Sequence, residues 1–242
     1  MKWKFIIVMV IALVLNGCAK SVADKNNDLG SGDKSNLPVS LTSLIEHAEL
    51  CKAIYDLGGD QKDEVAFEVK QENGITTIII RGMANKSNVE SDIDIRLVKD
   101  GRLGIYLHKG FRDASLGVME IIDRDHTVEN TVRITGHSLG GAISQIIGMW
   151  LHKRNHNVQI FSYGSPKVSN QVLSSGQPTH WRVVRRSDPI PFTPPWPYIQ
   201  TGLFIDSQDL DWGPDNDNGL ISQTDGLDHA IAKYVTTLKA QK

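Results

Sequence analysis

The chain has 242 residues, and its 26 lysines and arginines against 28 aspartates and glutamates give a formal net charge of −2. This balance argues against nucleic acid as a partner, because binding to phosphates needs a clear excess of positive charge. Two cysteines are too few for a disulfide framework, and no Cys/His spacing in the sequence suits zinc.

The N-terminus combines a basic start, a short apolar run and a cysteine. The apolar run, residues 5–15, is too short to span a bilayer. The Leu-Asn-Gly-Cys sequence at 15–18 resembles a bacterial lipobox, in which cleavage before Cys18 leaves that cysteine as an acylated N-terminus. We therefore expect a lipoprotein signal peptide at 1–17 and a lipid anchor at Cys18 that contains palmitate. This anchor would place the protein in the cell envelope. If the cell is Gram-negative, Ala19 after the cysteine indicates delivery to the outer membrane. The alternative to a lipoprotein signal is an ordinary cleaved secretion signal, with Cys18 there by chance.

Residues 18–40 are rich in Lys, Asn, Asp, Ser and Gly, a composition typical of a flexible tether. The remaining residues, 41–242, are enough for one domain with a sizeable core. We expect this domain to be monomeric.

Hydrophobic periodicity predicts alternating helices and strands after residue 40. The first half is expected to hold helix 41–55, strands 65–70 and 75–80, a hairpin of 93–98 and 103–107, and a helix with the apolar face Phe111, Ala114, Ser115, Val118, Met119 and Ile122. The second half is expected to hold strand 131–134, helix 139–154, strands 158–163 and 181–186, and a closing helix at 228–239. This pattern predicts an α/β fold with a mixed, mostly parallel sheet, antiparallel in its early strands. Cys51, on the first helix, is expected to be a small buried hydrophobic residue.

The run Thr-Gly-His-Ser-Leu-Gly-Gly at 135–141 contains Gly-x-Ser-x-Gly between a predicted strand and a predicted helix. A serine on such a turn, a nucleophile elbow, presents its hydroxyl clear of the sheet. The glycines are needed because the turn leaves no room for a β-carbon, and the helix N-terminus favours an oxyanion there. The pattern predicts Ser138 as a nucleophile; the alternative is a glycine-rich turn before an ordinary helix.

A serine nucleophile needs a histidine base, which in turn needs an acid to orient it. In this architecture the acid and then the histidine follow the serine along the chain. His229 follows every plausible acid, whereas His152, His156 and His180 do not. We predict His229 as the base; the alternative is a histidine that packs at the start of a helix.

The acid must be an aspartate, because no glutamate lies between the serine and His229. Asp188 lies just past the predicted strand 181–186, at the carboxyl edge of the sheet, where sites in α/β folds form. Asp225 and Asp228 are too near His229 for a strand-borne acid, and the others are expected to be solvated in a loop: Asp206, Asp209, Asp211, Asp215 and Asp217. Asp188 is therefore the predicted acid, with a turn residue before proline as the alternative.

Further motifs follow one another along the chain: Ile-Arg-Gly at 80–82, Asn-Val-Glu-Ser-Asp-Ile at 88–93, His-Lys-Gly-Phe at 108–111, Tyr-Gly-Ser-Pro-Lys-Val-Ser-Asn at 163–170, Asp-Pro-Ile-Pro at 188–191, Tyr-Ile-Gln-Thr-Gly at 198–202 and Asp-His at 228–229. Over roughly residues 41–234 they resemble the class 3 lipases of the α/β-hydrolase superfamily, which include the fungal triacylglycerol lipases. The resemblance implies that Ser138, Asp188 and His229 form a catalytic triad. It also implies cleavage of carboxylic esters of lipids through an acyl-enzyme, without a cofactor.

The expected oxyanion hole consists of the backbone N–H groups of Leu139, the residue after the nucleophile, and Met83. Met83 stands where the family usually has a serine or threonine, so a supporting hydroxyl is lost while the backbone donor remains. The segment at 83–88 matches the family's lid in position but is largely polar. This weakens the case for bulk triglyceride and leaves phospholipids, partial glycerides and soluble esters open.

The sequence thus predicts a membrane-tethered serine hydrolase acting on lipid esters. The alternatives are a phospholipase A1 or an acyltransferase of the same fold and, from another class, a non-catalytic lipid-binding lipoprotein. The acidic run at 215–219 fails the EF-hand pattern, because Gly226 occupies the position that needs glutamate, so no metal site is predicted. Trp196 and Tyr198 either line an acyl-binding mouth or pack in the core.

Overall fold

The computed structural model describes residues 31–56, 65–82, 94–174, 176–214 and 227–242. The predicted signal peptide, the lipidation site Cys18, the oxyanion donor Met83 and the run 215–219 lie outside these ranges. Within them, no helix is both long and apolar enough to cross a membrane.

Helices and strands alternate along most of the described chain. The helices are α1 (Leu41–Asp56), α2 (Lys109–Asp125), α3 (Leu139–Lys153) and α4 (Ile231–Lys239). The strands are β1 (Phe67–Glu72), β2 (Ile75–Ile80), β3 (Leu97–Lys99), β4 (Tyr106–His108), β5 (Thr131–His137), β6 (Asn157–Tyr163), β7 (Thr179–Val184), β8 (Leu203–Asp206) and β9 (Trp212–Gly213).

The main sheet has the strand order β1-β2-β5-β6-β7-β8-β9. The pairs from β2 to β8 are parallel, while β1 and β9 are antiparallel to their neighbours at the two edges. Strands β3 and β4 form a separate antiparallel pair. The predicted mixed, mostly parallel sheet with antiparallel early strands is confirmed.

Helices cover both faces of the main sheet. Successive side chains of a strand point to opposite faces, and in β6 Ile160 packs in a core with residues of α2 and α3, whereas Phe161 and Tyr163 pack in a core with residues of α1 and α4. Helix α3 follows the elbow directly and is buried at every position from Leu139 to Leu151. The predicted elbow is therefore fixed between the central strand β5 and a fully packed helix.

The segment after β7 departs from the sequence-based expectation. The short strand β8 was not predicted, and it ends at Asp206, whose side chain is fully buried and forms an ion pair with Arg186. The expectation that Asp206 is solvated is wrong. A buried carboxylate needs hydrogen-bonding partners, and Asp206 has both the Arg186 guanidinium and the backbone N–H of Gln208, at 2.8 Å. Asp209 and Asp211 are exposed, as expected.

Candidate active site

Ser138 occupies the sharp turn between β5 and α3 with φ 59° and ψ −128°. This conformation is uncommon for a residue with a β-carbon and marks a strained position. The Ser138 N–H donates to the carbonyl of Tyr163 at 3.0 Å, and the Ser138 carbonyl accepts from Gly141 at 2.9 Å. The side chain makes no capping bond to the helix, so these backbone bonds hold the turn while Oγ points to other partners.

The glycines of the elbow are required by close backbone approach. A β-carbon on Gly136 would lie 2.2 Å from the carbonyl oxygen of Gly140, and one on Gly140 would lie 2.2 Å from that of Ile80. Neither contact is possible without moving the helix away from the sheet. The Gly-x-Ser-x-Gly spacing thus reflects the packing of α3 directly against β2 and β5.

The structure brings Ser138, His229 and Asp188 together, although they are far apart in sequence. His229 Nε2 lies 2.7 Å from Ser138 Oγ, and His229 Nδ1 lies 2.7 Å from Asp188 Oδ2. Because an ionised carboxylate only accepts hydrogen bonds, Nδ1–H donates to Asp188 and the neutral ring presents Nε2 to the serine hydroxyl. The Asp188 side chain is fully buried, and that of His229 is 17% exposed. This geometry allows the imidazole to take a proton from the serine.

The other candidate histidines lie elsewhere. His152 belongs to the last turn of α3, and His156 follows that helix, with Nδ1 2.9 Å from the carbonyl of Glu129. His180 is buried in β7, with Nε2 2.8 Å from Ser162 Oγ. Burial lowers the pKa of His180 to about 3, which keeps its ring neutral.

Two further donors hold the Asp188 carboxylate. The Ile190 N–H donates to Oδ1 at 2.9 Å, and the Tyr234 hydroxyl donates to Oδ2 at 2.6 Å. Burial and the nearby Asp188 charge raise the pKa of Tyr234 well above its usual value, so the phenol stays protonated as a donor. Together with His229 Nδ1–H, these donors replace the water that a buried carboxylate loses. Tyr234 could not be singled out from the sequence, because it looks like any apolar-face residue of the closing helix.

Gly164 makes room for this arrangement. It has φ 57°, and a β-carbon there would lie 2.8 Å from Asp188 Oδ2, 2.9 Å from Tyr234 Oη and 3.2 Å from His229 Cε1. The glycine of the motif at 163–170 is therefore required both by its backbone conformation and by the acid and base that converge on it.

One of the two predicted oxyanion donors, Leu139, lies within the described chain, beside the serine. Leu139 is the first residue of α3, where a backbone N–H has no partner inside the helix. Met83 falls outside the described ranges, but its neighbour Gly82 lies against the elbow: a β-carbon there would lie 2.7 Å from the His137 carbonyl oxygen and 3.2 Å from Ser138 Cβ. The chain thus enters the segment containing Met83 immediately beside the nucleophile.

The structure shows the surroundings of Tyr198, Trp196 and Cys51, whose positions were open or expected to be buried. Tyr198 is buried, its hydroxyl donates to the Ile95 carbonyl and its ring lies 5.6 Å from that of His108, so it packs, whereas Trp196 is 82% exposed. Cys51 is buried beside Thr135, and burial raises the pKa of its thiol to about 12, which confirms the prediction of a buried hydrophobic residue. Across the described ranges, no group of three or more histidine, cysteine or acidic side chains is arranged to hold a metal ion.

Comparison with known families places this site in context. Residues 77–198, just over half of the chain, match the family model described as Lipase (class 3). The chain belongs to the class 3 lipase family. The matched region contains Ser138 and Asp188, whereas His229 lies beyond it and is placed beside the serine by the fold. The three residues that the structure brings together thus lie partly inside and partly beyond the matched region.

Individual proteins of known sequence or structure are similar to this class 3 lipase family member. A secreted mono- and diacylglycerol lipase from Fusarium solani is 29% identical over 129 residues, covering 49% of this chain and 39% of the relative. The chain thus matches well under half the length of that protein. The crystal structure of a lipase from Rhizopus microsporus var. chinensis superposes with a TM-score of 0.63 at 17% identity, over 84% of this chain and 89% of that one.

A triacylglycerol lipase whose catalytic centre is described as a serine protease triad superposes with a TM-score of 0.56 at 19% identity, over 83% of this chain and 95% of that one. Both structural similarities show the α/β-hydrolase fold, as the sequence analysis predicted.

Proposed function

We propose that this protein hydrolyses carboxylic esters of lipids through an acyl-enzyme formed on Ser138. The observation that carries the proposal is the continuous chain of hydrogen bonds from Ser138 Oγ through His229 to Asp188, with 2.7 Å at each step. The family membership and the presence of such a triad in a triacylglycerol lipase of the same fold support it. The intact hydrogen-bond chain also disfavours a purely lipid-binding role.

The reaction follows from the geometry in two half-reactions. As Ser138 Oγ attacks the ester carbonyl carbon, His229 Nε2 accepts the serine proton, and Asp188 stabilises the resulting imidazolium. The carbonyl oxygen becomes an oxyanion, for which the backbone N–H groups of Leu139 and Met83 are the donors expected from sequence. When the tetrahedral intermediate collapses, the alcohol leaves with the proton from His229. Water, activated by the same imidazole, then releases the fatty acid and restores the serine.

Acylglycerols are the substrates that we favour, since the Fusarium solani relative is named for mono- and diacylglycerols. The polar composition of residues 83–88 weakens the case for bulk triglyceride and leaves phospholipids, partial glycerides and soluble esters open. A hydrolysis screen over p-nitrophenyl esters, acylglycerols and phospholipids decides the substrate class. Preferential release of the sn-1 fatty acid from phospholipids would instead assign a phospholipase A1, and ester formation with an added alcohol would assign an acyltransferase.

Covalent labelling with a fluorophosphonate tests the nucleophile. Wild-type protein should incorporate one label per chain, and Ser138→Ala should incorporate none while keeping its fold. Ser144→Ala is the matched control, because Ser144 lies on the same helix and its Oγ donates to the Gly140 carbonyl instead of facing His229. Stoichiometric labelling of Ser138→Ala would refute the assignment.

We further propose that Cys18 carries acyl chains that hold a monomeric enzyme in the cell envelope, on the outer membrane in a Gram-negative cell, through the residues that follow Cys18. The support is the lipobox-like sequence at 15–18, and two or more acyl chains bind membranes firmly. Metabolic palmitate labelling should mark the wild type and the Cys51→Ala control but not Cys18→Ser. A wild type recovered as a soluble, unlabelled protein would contradict the anchor.

A further inference from the structure

A buried histidine connects the nucleophile strand to the backbone of the catalytic base. His137 is the last residue of β5, directly before Ser138, and is 5% exposed. Its Nε2 lies 2.6 Å from the backbone carbonyl oxygen of His229, and the two imidazole rings are 4.6 Å apart between centroids. On its other side, Nδ1 lies 3.0 Å from the hydroxyl of Tyr55 on α1.

The chemistry of the partners fixes the direction of both bonds. A carbonyl oxygen only accepts, so His137 Nε2 carries a hydrogen and donates it to His229. In the neutral ring Nδ1 is then the acceptor for the Tyr55 hydroxyl. Burial raises the pKa of Tyr55 above its usual value, so the phenol keeps its proton. The His229 carbonyl therefore requires the tautomer of His137 that carries the hydrogen on Nε2, and the Tyr55 hydroxyl supplies a partner for the other ring nitrogen.

The bond matters because of where His229 lies. His229 ends a three-residue 3₁₀ turn, Leu227–His229, and the Ala230 cap of α4 after it makes no side-chain capping bond. Proton transfer requires the 2.7 Å separation between His229 Nε2 and Ser138 Oγ, and a displacement of about 1 Å at a catalytic group costs about 100-fold in rate. The hydrogen bond from His137 therefore joins this short turn to the end of β5, directly before the nucleophile.

We propose that His137 is a positioning residue for the reaction: its Nε2–H bond to the His229 carbonyl sets the imidazole of His229 against Ser138, and the Tyr55 hydroxyl, hydrogen-bonded to Nδ1, holds the His137 ring in place for that bond. The inference rests on the proposed function, because positioning of the base has a kinetic meaning only if Ser138 is the nucleophile. These two hydrogen bonds join His137 to the Tyr55 hydroxyl and to the His229 backbone, and not to the imidazole of His229 or to Ser138 Oγ.

Kinetics of paired variants test the proposal. His137→Leu removes the donor and should lower kcat, and the rate constant of fluorophosphonate labelling, by about tenfold to 100-fold, with KM changed less than about threefold. His137→Gln offers an amide N–H near the position of Nε2 and should recover most of the loss. Tyr55→Phe should lower kcat about threefold to tenfold, the rate equivalent of one neutral hydrogen bond. In the His137→Leu background Tyr55→Phe should add little, because it acts through His137.

A second buried histidine separates positioning from general destabilisation. His180→Leu removes a buried ring with its own hydrogen bond, to Ser162, on a different strand. Rates are measured below the melting range and divided by the number of active sites that the fluorophosphonate labels at completion. Under these conditions His180→Leu should keep the wild-type kcat. Equal losses in His180→Leu and His137→Leu, or a wild-type kcat in His137→Leu, would overturn the proposal.

A crystal structure of His137→Leu gives a readout that needs no activity. The Ser138–His229 separation should lengthen beyond hydrogen-bonding distance, and an unchanged separation would also overturn the proposal. Failure of the proposed function has a different signature, since the wild type itself would then neither label at Ser138 nor hydrolyse any ester in the screen.

Discussion

Gly164→Ala places one methyl group against the acid and the base of the triad. In the structure a β-carbon at this position would lie 2.8 Å from Asp188 Oδ2 and 2.9 Å from Tyr234 Oη, with φ at 57°. Two costs follow, one from the backbone and one from the collision. They are separable because Gly74, in the turn of the β1–β2 hairpin, has φ 73° and nothing within 4 Å of its would-be β-carbon.

The backbone cost is common to both positions. An L-residue in the left-handed region costs about 1–2 kcal/mol relative to glycine, which corresponds to a fall in Tm of about 2–8 °C for a domain of this size. The collision is specific to Gly164. A β-carbon contact under 3.0 Å forces something to shift, and the oxygen in question also accepts from His229. Since a 1 Å misplacement costs about 100-fold, a shift of about half that should lower kcat about tenfold or more.

The assay compares kcat, KM and Tm of the two variants on one soluble ester. Both should melt earlier than the wild type, Gly164→Ala more so, and only Gly164→Ala should lose kcat, with KM nearly unchanged. If Gly164→Ala retains the kcat of Gly74→Ala, the Asp188–His229 geometry does not depend on the space that the glycine leaves, and this reasoning is wrong.

Three further predictions concern buried polar groups. Tyr234→Phe should lower the free energy of unfolding in urea by about 1.5–3 kcal/mol, because Asp188 loses a donor to its charge, and unchanged stability would contradict that bond. Cys51→Ala should keep full kcat and labelling at Ser138, since the thiol is buried and protonated, and loss of labelling would reveal a second nucleophile. His180 has a folded pKa of about 3 against about 6.5 when unfolded, so the unfolded state binds more protons between these values and stability falls on acidification. His180→Gln should flatten the dependence of unfolding free energy on pH between 6 and 4 by about 1.4 kcal/mol per pH unit, and an unchanged slope would mean that the histidine is protonated in the folded protein.

The central part of the fold was predictable from sequence because its elements are locally distinctive. Strands β5 and β6 begin with apolar residues at alternate positions, Val132 and Ile134 in the first and Val158 and Ile160 in the second, and α3 follows a glycine-rich turn. Strand β8 was missed since its four residues, Leu203–Asp206, carry no periodic signal; the strand forms by pairing with β7, a partner more than twenty positions earlier in the chain. Asp206 was wrongly expected to be solvated for the same reason. The sequence shows the acidic residues around it, but the ion pair with Arg186 forms only when the chain folds.

The triad residues were predictable because chain order and elbow chemistry restrict the choice. The residues that hold them were not. Tyr234 reaches Asp188 across 46 positions, and Tyr55 and His229 converge on His137 across 82 and 92 positions. Each looks locally like an ordinary core residue or a variable position of a motif. Their roles exist only after the fold brings α1, β5 and α4 to one end of the sheet.

The strain at Ser138 makes a last prediction, which contrasts two inactive variants. Both Ser138→Gly and Ser138→Ala lack the nucleophile, but only glycine adopts φ 59° and ψ −128° without steric cost. Such a conformation lowers the free energy of unfolding by about 1–3 kcal/mol in a residue with a β-carbon. Glycine avoids this strain but lowers the free energy of unfolding by about 0.4–1 kcal/mol, because it increases the entropy of the unfolded chain.

Ser138→Gly should therefore be the more stable of the two by about 0.5–2 kcal/mol in urea unfolding, the difference left between strain relief and unfolded-chain entropy. Gly101→Ala, at an open loop position with nothing within 4 Å and no positive φ, calibrates the entropy contribution alone. If Ser138→Ala equals or exceeds Ser138→Gly in stability, the elbow is not strained, and presentation of the hydroxyl then comes at no cost to the fold.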